Sequence, residues 1–231
     1  LPMLGAPPEN FHQKRDTTVS GAALADEPEW LPAIEQFGEG IFLTFKTSTI
    51  EAWFAREAVA KRINTLDAGW KAHKRKYPNS AGKKFPGGPY VLLHSLAHSL
   101  ITEIALECGY PASALRERVY ALSPHDGTPG RYGVLVYTAS AGAEGTLGGL
   151  VATTERLSSV FVRCLDSLAL CSNDPVCADH LPDTAQDERS LLGAACHGCL
   201  LIAETSCEAR NNFLDRALLV ETVAGGDANL L

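Results

Sequence analysis

The segment CSNDPVCADHLPDTAQDERSLLGAACHGCLLIAETSC, residues 171–207, decides the fold because it holds five of the chain's seven cysteines. Thiolates bind Zn²⁺ strongly, and four of them around one ion close a structural site. The CxxC pair at residues 196–199 suits this chemistry, because a short loop with glycine lets both sulfurs reach one ion. The segment therefore predicts a structural zinc site, for which the favoured ligands are Cys171, Cys177, Cys196 and Cys199, with Cys207 as the alternative.

Two other uses of these cysteines compete with zinc binding. A disulfide framework is typical of small secreted domains with an even number of cysteines, and this chain has 231 residues and an odd number. A thioredoxin-like redox pair requires a CxxC sequence at the start of a helix and a lowered thiol pKa. Here three further cysteines surround the CxxC pair. Zinc is therefore the favoured interpretation.

The composition indicates a globular protein with its own core. Hydrophobic residues make up 45% of the chain and charged residues 20%, which argues against wholesale disorder. No uninterrupted apolar run reaches the roughly 18 residues that a membrane helix requires, so we expect a soluble, cytoplasmic chain. The loose, Pro-rich opening predicts a linker or arm over residues 1–29, followed by one domain over residues 30–231. We also expect the chain to be the C-terminal portion of a longer protein.

The net charge of −7 is unevenly distributed. Between Asp67 and Glu103 there is no acidic residue, but there are six basic ones. These six are Lys71, Lys74, Arg75, Lys76, Lys83 and Lys84. Aromatic, Pro and Gly residues lie among them, which predicts a flexible basic loop. Such a loop could follow a phosphate backbone and stack on bases, so these residues are candidate DNA contacts. A solvated loop without a ligand is the equally weighted alternative.

The hydrophobic pattern predicts helices around a small sheet. Strands are expected at 40–45, 119–122 and 133–138, where short runs are rich in β-branched and aromatic residues. Helices are expected at 50–66, 91–108, 111–118 and 147–170, with helical residues also at 189–192 and 211–219. The predicted fold class is therefore α/β or α+β: a small mixed sheet flanked by helices, with a zinc-stapled C-terminal lobe at about residues 165–220.

The sequence names no reaction. His94 and His98 are one helical turn apart, as in zinc proteases, but Ser95 stands where the general-base Glu belongs. We interpret both as structural or surface histidines; the alternative is a metal-dependent hydrolase or nuclease that uses His94 and His98. The Gly-rich stretch 141–149 could receive a phosphate at a helix N-terminus or could allow tight packing, and it lacks the P-loop Lys. No catalytic residue is predicted.

Four stretches together resemble the MrfA zinc-binding (MZB) domain family. They are EWLPAIEQFGEGIFLTF (29–45), HSLAH (94–98), GVLVYTASAGAEGTLGGL (133–150) and CHGCLLIAETSCEARNNFLDRALL (196–219). The resemblance covers about residues 28–222. It is greatest to the members that accompany a helicase in the bacterial DISARM anti-phage system.

This resemblance implies a non-catalytic accessory subunit. Family members occur fused to superfamily-two DNA helicases or as a separate subunit beside one, so the implied partners are such a helicase and DNA, with no membrane. The implied cofactor is structural zinc. The family motif places the zinc ligands at the same four cysteines, with Cys207 also in the motif. The five-cysteine count and the five-residue gap from Cys171 to Cys177 depart from the tighter four-cysteine cluster of helicase-fused members.

Overall fold

Helices pack against one face of a three-stranded sheet in this chain. The structure, a computed structural model, describes residues 38–78, 84–138, 148–182, 189–223 and 225–230. In chain order the elements are β1 (Gly40–Phe45), α1 (Thr47–Phe54), α2 (Glu57–Lys76), α3 (Gly88–Cys108), β2 (Leu115–Leu122), β3 (Arg131–Thr138), α4 (Gly149–Ala152) and α5 (Leu157–Ala169). Short 3₁₀ turns occur at Ala112–Ala114, Thr153–Arg156, Glu204–Ser206 and Arg216–Leu218.

Helix α3 is the central element of the core. Its residues are apolar on nearly all sides, and Leu93, Leu100 and Ile104 are among the many that are fully buried. By length and composition α3 could cross a bilayer, but 78% of its apolar window is buried inside the protein. A helix that is hydrophobic all round and covered in this way is a core helix. Gly109, with φ of +72°, ends it, as glycine commonly does just past a helix C-terminus.

The sheet covers one side of α3. Its strand order is β1-β3-β2, and β2 pairs with β3 along its whole length, with Val119 opposite Val134. Buried and exposed residues alternate along β2, as expected when one face of a strand is covered. Leu115, Glu117 and Val119 all lie on the covered face, which packs against α3. The strand therefore carries a carboxylate into the core.

The predicted α/β class, with helices flanking a small sheet, is confirmed, but the described sheet is antiparallel rather than mixed. β1 and β2 run in the same direction, yet β3 lies between them and pairs antiparallel with both. The helix predicted at 111–118 is wrong. A 3₁₀ turn at Ala112–Ala114 is followed directly by β2, because the alternating buried residues from Leu115 onward follow a strand period.

The first predicted helix, 50–66, is in fact two helices. α1 ends at Phe54, and α2 continues to Lys76, ten residues past the predicted end. The basic segment predicted as a loop is therefore helical as far as Lys76. Lys and Arg favour helices, and Lys71 pairs with Asp67 one turn earlier at 2.6 Å. Cations are also favourable near a helix C-terminus.

The long helix predicted at 147–170 is interrupted. A 3₁₀ turn separates α4 from α5. The hydroxyls of Thr153 and Thr154 each donate, at 2.6 Å, to the carbonyl three residues earlier, Leu150 and Val151 respectively. These local bonds compete with the α-helical pattern and accompany the tighter winding. Helix α5 then leads directly to Cys171.

The described residues of the C-terminal lobe beyond α5 contain turns and short 3₁₀ segments. The helical residues predicted at 189–192 are therefore wrong, and of those predicted at 211–219 only the 3₁₀ turn at Arg216–Leu218 is helical. Arg210, Asn211 and Phe213 have positive φ values, which a right-handed helix does not allow. The Asn211 side chain instead bonds the backbone of Ile202, accepting from its amide at 3.2 Å and donating to its carbonyl at 2.8 Å.

Candidate metal centres

Four cysteine side chains meet beyond the end of α5. Cys171 and Cys177 lie on the turns that follow the helix, and Cys196 and Cys199 lie on a tight turn further along the chain. Their Sγ atoms all lie within 4.8 Å of one another. The Sγ separations are 3.4 Å for Cys171–Cys196, 3.8 Å for Cys177–Cys199 and 3.8 Å for Cys196–Cys199. All seven cysteines of the chain are free thiols.

These separations fit a tetrahedral zinc ion. Sulfurs at the usual Zn–S distance of about 2.3 Å lie about 3.8 Å apart at the tetrahedral angle. Backbone amides of the second turn also point at sulfur. The Gly198 amide donates to Cys196 Sγ, and the Cys196 amide donates to Cys199 Sγ, both at 3.3 Å. Such bonds favour thiolates, the form that binds metal. The four residues can therefore hold zinc with little rearrangement.

Asp174 and Arg216 hold the first cysteine turn in place. The Asp174 carboxylate accepts from the amides of Cys171 at 2.9 Å and Ala178 at 3.1 Å. The buried Arg216 guanidinium donates to Asp174 and, at 2.7 Å, to the Leu168 carbonyl near the end of α5. The last carbonyls of a helix have no partner within it, so Arg216 joins the end of α5 to the cysteine turn. Burial raises the pKa of Asp174, but these hydrogen bonds lower it overall.

The surroundings of Cys177 favour its thiolate. Hydrogen bonding from Cys199 lowers the pKa of Cys177 to about 6, against the opposing effect of burial. The positive charge of Arg216 acts in the same direction. A metal-binding group with one thiolate already stabilised loses fewer protons when the ion enters.

A second group of metal-ligand side chains lies in the core. His94 and His98 on α3, Glu117 on β2 and Cys207 from the C-terminal lobe are all buried, and their ligand atoms lie within 4.8 Å of one another. His94 Nε2 is 2.8 Å from Glu117 Oε1 and 3.2 Å from Cys207 Sγ. His98 Nε2 is 3.4 Å from Glu117 Oε1. The fold thus brings together side chains from three separate parts of the chain.

Backbone carbonyls fix the orientation of both imidazole rings. His94 Nδ1 lies 3.1 Å from the Phe213 carbonyl oxygen, and His98 Nδ1 lies 2.8 Å from that of Leu200. A carbonyl oxygen can only accept, so each Nδ1 donates outward and each Nε2 faces the interior of the group. Metal-binding histidines are commonly oriented by such a hydrogen bond to the other ring nitrogen.

Each side chain of this second group shifts the pKa of its neighbours. Burial lowers the pKa of His94, but the hydrogen bond with Cys207 and the adjacent Glu117 carboxylate raise it to about 10. Burial raises the pKa of Glu117, but the neighbouring imidazoles of His94 and His98 lower it to about 2. In the same way, the two imidazoles lower the pKa of Cys207 to about 7 against the effect of burial. Both shifts favour the anionic forms of Glu117 and Cys207, which positive charge beside them stabilises.

The structure divides the five cysteines of the 171–207 segment between the two groups. The four favoured zinc ligands form the first group, whereas Cys207, the predicted alternative, lies in the second group beside His94. Sequence reasoning missed Glu117. The signal that could have found it is a charged residue between Leu115 and Val119, at a position where strand alternation predicts burial.

The predicted DNA contacts lie at the C-terminal end of α2 and beyond it. Two of them have partners within the chain. Lys71 pairs with Asp67, and the Lys74 ammonium donates to the Pro78 carbonyl at 2.6 Å. The second interaction satisfies a carbonyl just past the helix end, where cations are favourable.

The other predicted DNA-binding residues are presented to solvent where they are described. Arg75, Lys76 and Lys84 are exposed, and the Lys76 ammonium lies 5.3 Å from the centre of the Tyr77 ring. Lys83 lies outside the described residues. The end of α2 therefore presents cationic side chains with an aromatic ring beside them.

The Gly-rich stretch 141–149, for which the sequence leaves a phosphate contact or tight packing open, mostly lies outside the described residues, but the helix that follows it is described. The Glu39 carboxylate accepts from the amides of Gly148, Leu150 and Val151 at 3.0–3.3 Å and from the Tyr110 hydroxyl at 2.8 Å. Burial raises the pKa of Glu39, but these bonds lower it overall. The described amides at the start of α4 are thus already bonded to a carboxylate of the same chain.

Comparison with known proteins gives two matches. A family model described as MrfA Zn-binding domain matches residues 96–200, a range that contains all four cysteines of the first group. DISARM protein DrmB of Bacillus paralicheniformis is 38% identical to this chain over 200 residues, which is 84% of this chain and 33% of the relative. The chain therefore spans about a third of the length of the curated relative that it matches.

Proposed function

Because this chain carries a domain of the zinc-binding MrfA (MZB) family and is a relative of DISARM protein DrmB, we propose that it is a zinc-stabilised subunit of a bacterial antiviral defence system. In this proposal the subunit is not itself an enzyme. It acts in the cytoplasm, binds a superfamily-two DNA helicase and contacts DNA. The observation that carries the proposal is the four-thiol group inside the matched residues, with sulfur separations that suit zinc.

The proposed role of the metal is structural. Zinc, when bound, would cross-link the four thiolates and so fix the turns on which they lie. The C-terminal lobe needs such support, because its described residues form turns and short 3₁₀ segments without a longer helix or a strand to hold them. We propose an MZB-like domain over residues 30–231, in which the lobe is the docking surface for the helicase. The arm predicted over residues 1–29 lies outside the described residues.

Two features support a non-catalytic role over the alternative of a hydrolase built on His94 and His98. A catalytic zinc site keeps one position open for water or substrate, whereas these histidines are fully buried beside two further ligand residues. Ser95, at the position of the general base in zinc proteases, belongs to the scaffold. Its hydroxyl donates to the Val91 carbonyl and accepts from the Asp215 amide, both at 2.8 Å.

The partner can be tested by affinity purification of the tagged chain from its native host. We expect a superfamily-two ATPase to co-purify with the wild-type chain and to be absent from purifications of the zinc-ligand variant Cys196→Ser. The matched control is Cys164→Ser, since Cys164 is buried on α5 outside both metal-ligand groups. If no ATPase co-purifies with the wild type, or if Cys196→Ser retains it fully, the proposed partnership is wrong.

The hydrolase alternative has its own readout. Incubation of the purified chain with labelled single- and double-stranded DNA and added Mg²⁺, Mn²⁺ or Zn²⁺ should give no cleavage above the background of a His94→Ala preparation. Metal-dependent cleavage by the wild type that His94→Ala abolishes would favour the enzyme instead.

A further inference from the structure

The four ligand atoms of the second group face one another in the core. Because both imidazoles donate through Nδ1 to backbone carbonyls, the Nε2 atom of each ring faces the Glu117 carboxylate and the Cys207 sulfur, and in the neutral ring it carries a lone pair. Both Glu117 oxygens and His98 Nε2 are buried without a hydrogen-bond partner among the described residues. With neutral rings, buried acceptors would face acceptors, which is costly, so the group needs positive charge among its four ligand atoms, either a metal ion or imidazole protons.

We propose that His94, His98, Glu117 and Cys207 form a second metal site, which binds one divalent transition ion of the zinc class in a closed, structural role. The ligand types carry this assignment. Two imidazoles, one carboxylate and one thiolate suit Zn²⁺, Co²⁺ or Fe²⁺, whereas Mg²⁺ and Ca²⁺ require sets of oxygen ligands. The two ligand anions would balance the charge of a divalent ion in this buried position.

The distances agree with such a site. Nitrogen, oxygen and sulfur ligands at about 2.0–2.3 Å from a tetrahedral ion lie about 3.3–3.8 Å from one another. The His94–Cys207 and His98–Glu117 separations of 3.2 and 3.4 Å are close to this range. The 2.8 Å separation between His94 and Glu117 is shorter, so these two side chains would move apart by about half an ångström on metal binding.

Hydrogen bonds with the surrounding backbone hold the ligand side chains in place, as is usual around metal sites. Besides the two carbonyls that orient the histidines, the Asn211 amide donates to Cys207 Sγ at 3.1 Å, as amides also do in the four-cysteine group. The site would join three parts of the chain: α3, β2 and the C-terminal lobe. It would also lie close to the first site along the backbone, because the carbonyl that orients His98 belongs to Leu200, the residue after Cys199.

Metal content tests the proposal directly. We expect the purified chain, after dialysis against metal-free buffer, to retain about two equivalents of zinc-class metal by plasma mass spectrometry, since two closed sites each hold one ion. Glu117→Gln, which keeps the side-chain shape, and Cys207→Ser should each lose about half of that metal. Cys164→Ser should retain all of it. Cys196→Ser should lose the other half and keep the ion of the second site.

X-ray absorption at the zinc edge of the wild-type chain gives an answer that does not depend on whether a variant folds. Two sites, one with four sulfurs and one with a single sulfur, average about 2.5 sulfur and 1.5 nitrogen or oxygen neighbours per zinc, whereas the four-cysteine site alone gives about four sulfurs. A folded chain with one equivalent of metal and four sulfur neighbours would overturn the second site. That result would leave the four-cysteine site and the proposed function standing, and protons alone would then balance the buried anions.

Discussion

At the scale of single residues, the buried ion pair between Arg62 and Asp215 joins α2 to the C-terminal lobe. Arg62 Nε donates to Asp215 Oδ2 at 2.7 Å, and both side chains are buried. Asp215 also accepts from the amides of Ala194 at 2.9 Å and Ala217 at 3.1 Å. Removal of one partner from such a pair leaves a charge in the core with nothing to balance it.

We expect Arg62→Met to lower the free energy of unfolding by about 3–5 kcal/mol, because Asp215 would remain buried and charged. The matched control is Lys71→Met, which removes a cation from the same helix and breaks the exposed pair with Asp67. That change should cost about 1 kcal/mol or less. Urea unfolding of the metal-loaded proteins measures both, and equal losses in the two variants would contradict this role of the buried pair.

Glu39 predicts a pH dependence of stability. Its pKa is lowered in the folded chain because the hydrogen bonds from Tyr110 and the α4 amides outweigh burial. A carboxyl with a lowered folded pKa stabilises the fold above its unfolded pKa, and that contribution is lost as the pH falls through the folded pKa. We therefore expect Glu39→Gln to destabilise the chain at neutral pH by about 0.5–1 kcal/mol, a typical value for a carboxylate at a helix N-terminus.

The difference between wild type and Glu39→Gln should be constant above about pH 5 and should shrink as the pH falls below the unfolded value of about 4.3. Thermal unfolding at a series of pH values measures it. Glu155→Gln is the control, since Glu155 is exposed in the 3₁₀ turn beyond α4, and any acid release of metal would affect both variants alike. If the stability difference between wild type and Glu39→Gln grew toward low pH, the proposed role of the Glu39 carboxylate would be wrong.

At the scale of elements, the sequence predicted what depends on periodicity and missed what depends on tertiary contacts. The α3 pattern and the strands at 40–45 and 133–138 are visible because apolar residues recur at helix or strand spacing. The turns of the C-terminal lobe are held by side-chain hydrogen bonds such as those of Asn211. Such bonds produce no periodic pattern of apolar residues in the sequence. The sequence analysis did not predict Glu117 as a site residue for a related reason, since its partners His94, His98 and Cys207 are far from it in the chain.

The residues predicted to contact DNA lie mainly at the C-terminal end of α2. If its cations bind phosphates, reversal of charge at Lys74, Arg75 and Lys76 should weaken DNA binding. It should also reduce the slope of log affinity against log salt by about one for each phosphate that is no longer neutralised. Fluorescence anisotropy with labelled DNA at several salt concentrations measures both quantities. Circular dichroism shows whether α2 remains helical, because these cations also favour its C-terminus.

A control with the same change in net charge separates a specific interface from general electrostatics. Arg116, Arg118 and Arg131 are exposed on the sheet, and their reversal to Glu alters the total charge by the same amount. We expect this control to leave the salt slope nearly unchanged. Equal effects of the two triple variants would show that overall charge, and not the end of α2, determines binding. No effect from either would remove both surfaces from the DNA interface.

At the scale of the whole molecule, the C-terminal lobe is held to the rest of the fold by side chains and not by backbone ladders. Arg216 bonds the end of α5, Asp215 pairs with α2, and His98 donates to the lobe backbone at Leu200. The first cysteine group was visible in the sequence because its members are close in the chain, whereas its partners Asp174 and Arg216 are recognisable only in three dimensions. The lobe's shape thus depends on interactions that metal ions would complete.

Removal of metal should therefore loosen the lobe before the core. We expect treatment with a strong chelator to abolish hydrogen-exchange protection in the described lobe residues 189–219. The β2–β3 pair should stay protected, because its ladder is made of backbone hydrogen bonds and only Glu117 of its residues belongs to a metal-ligand group. Exchange followed by mass spectrometry measures this, and re-addition of zinc should restore protection. Loss of protection at an equal rate in lobe and sheet would mean that the molecule opens as one unit. Unchanged protection in the lobe would mean that metal does not hold its shape.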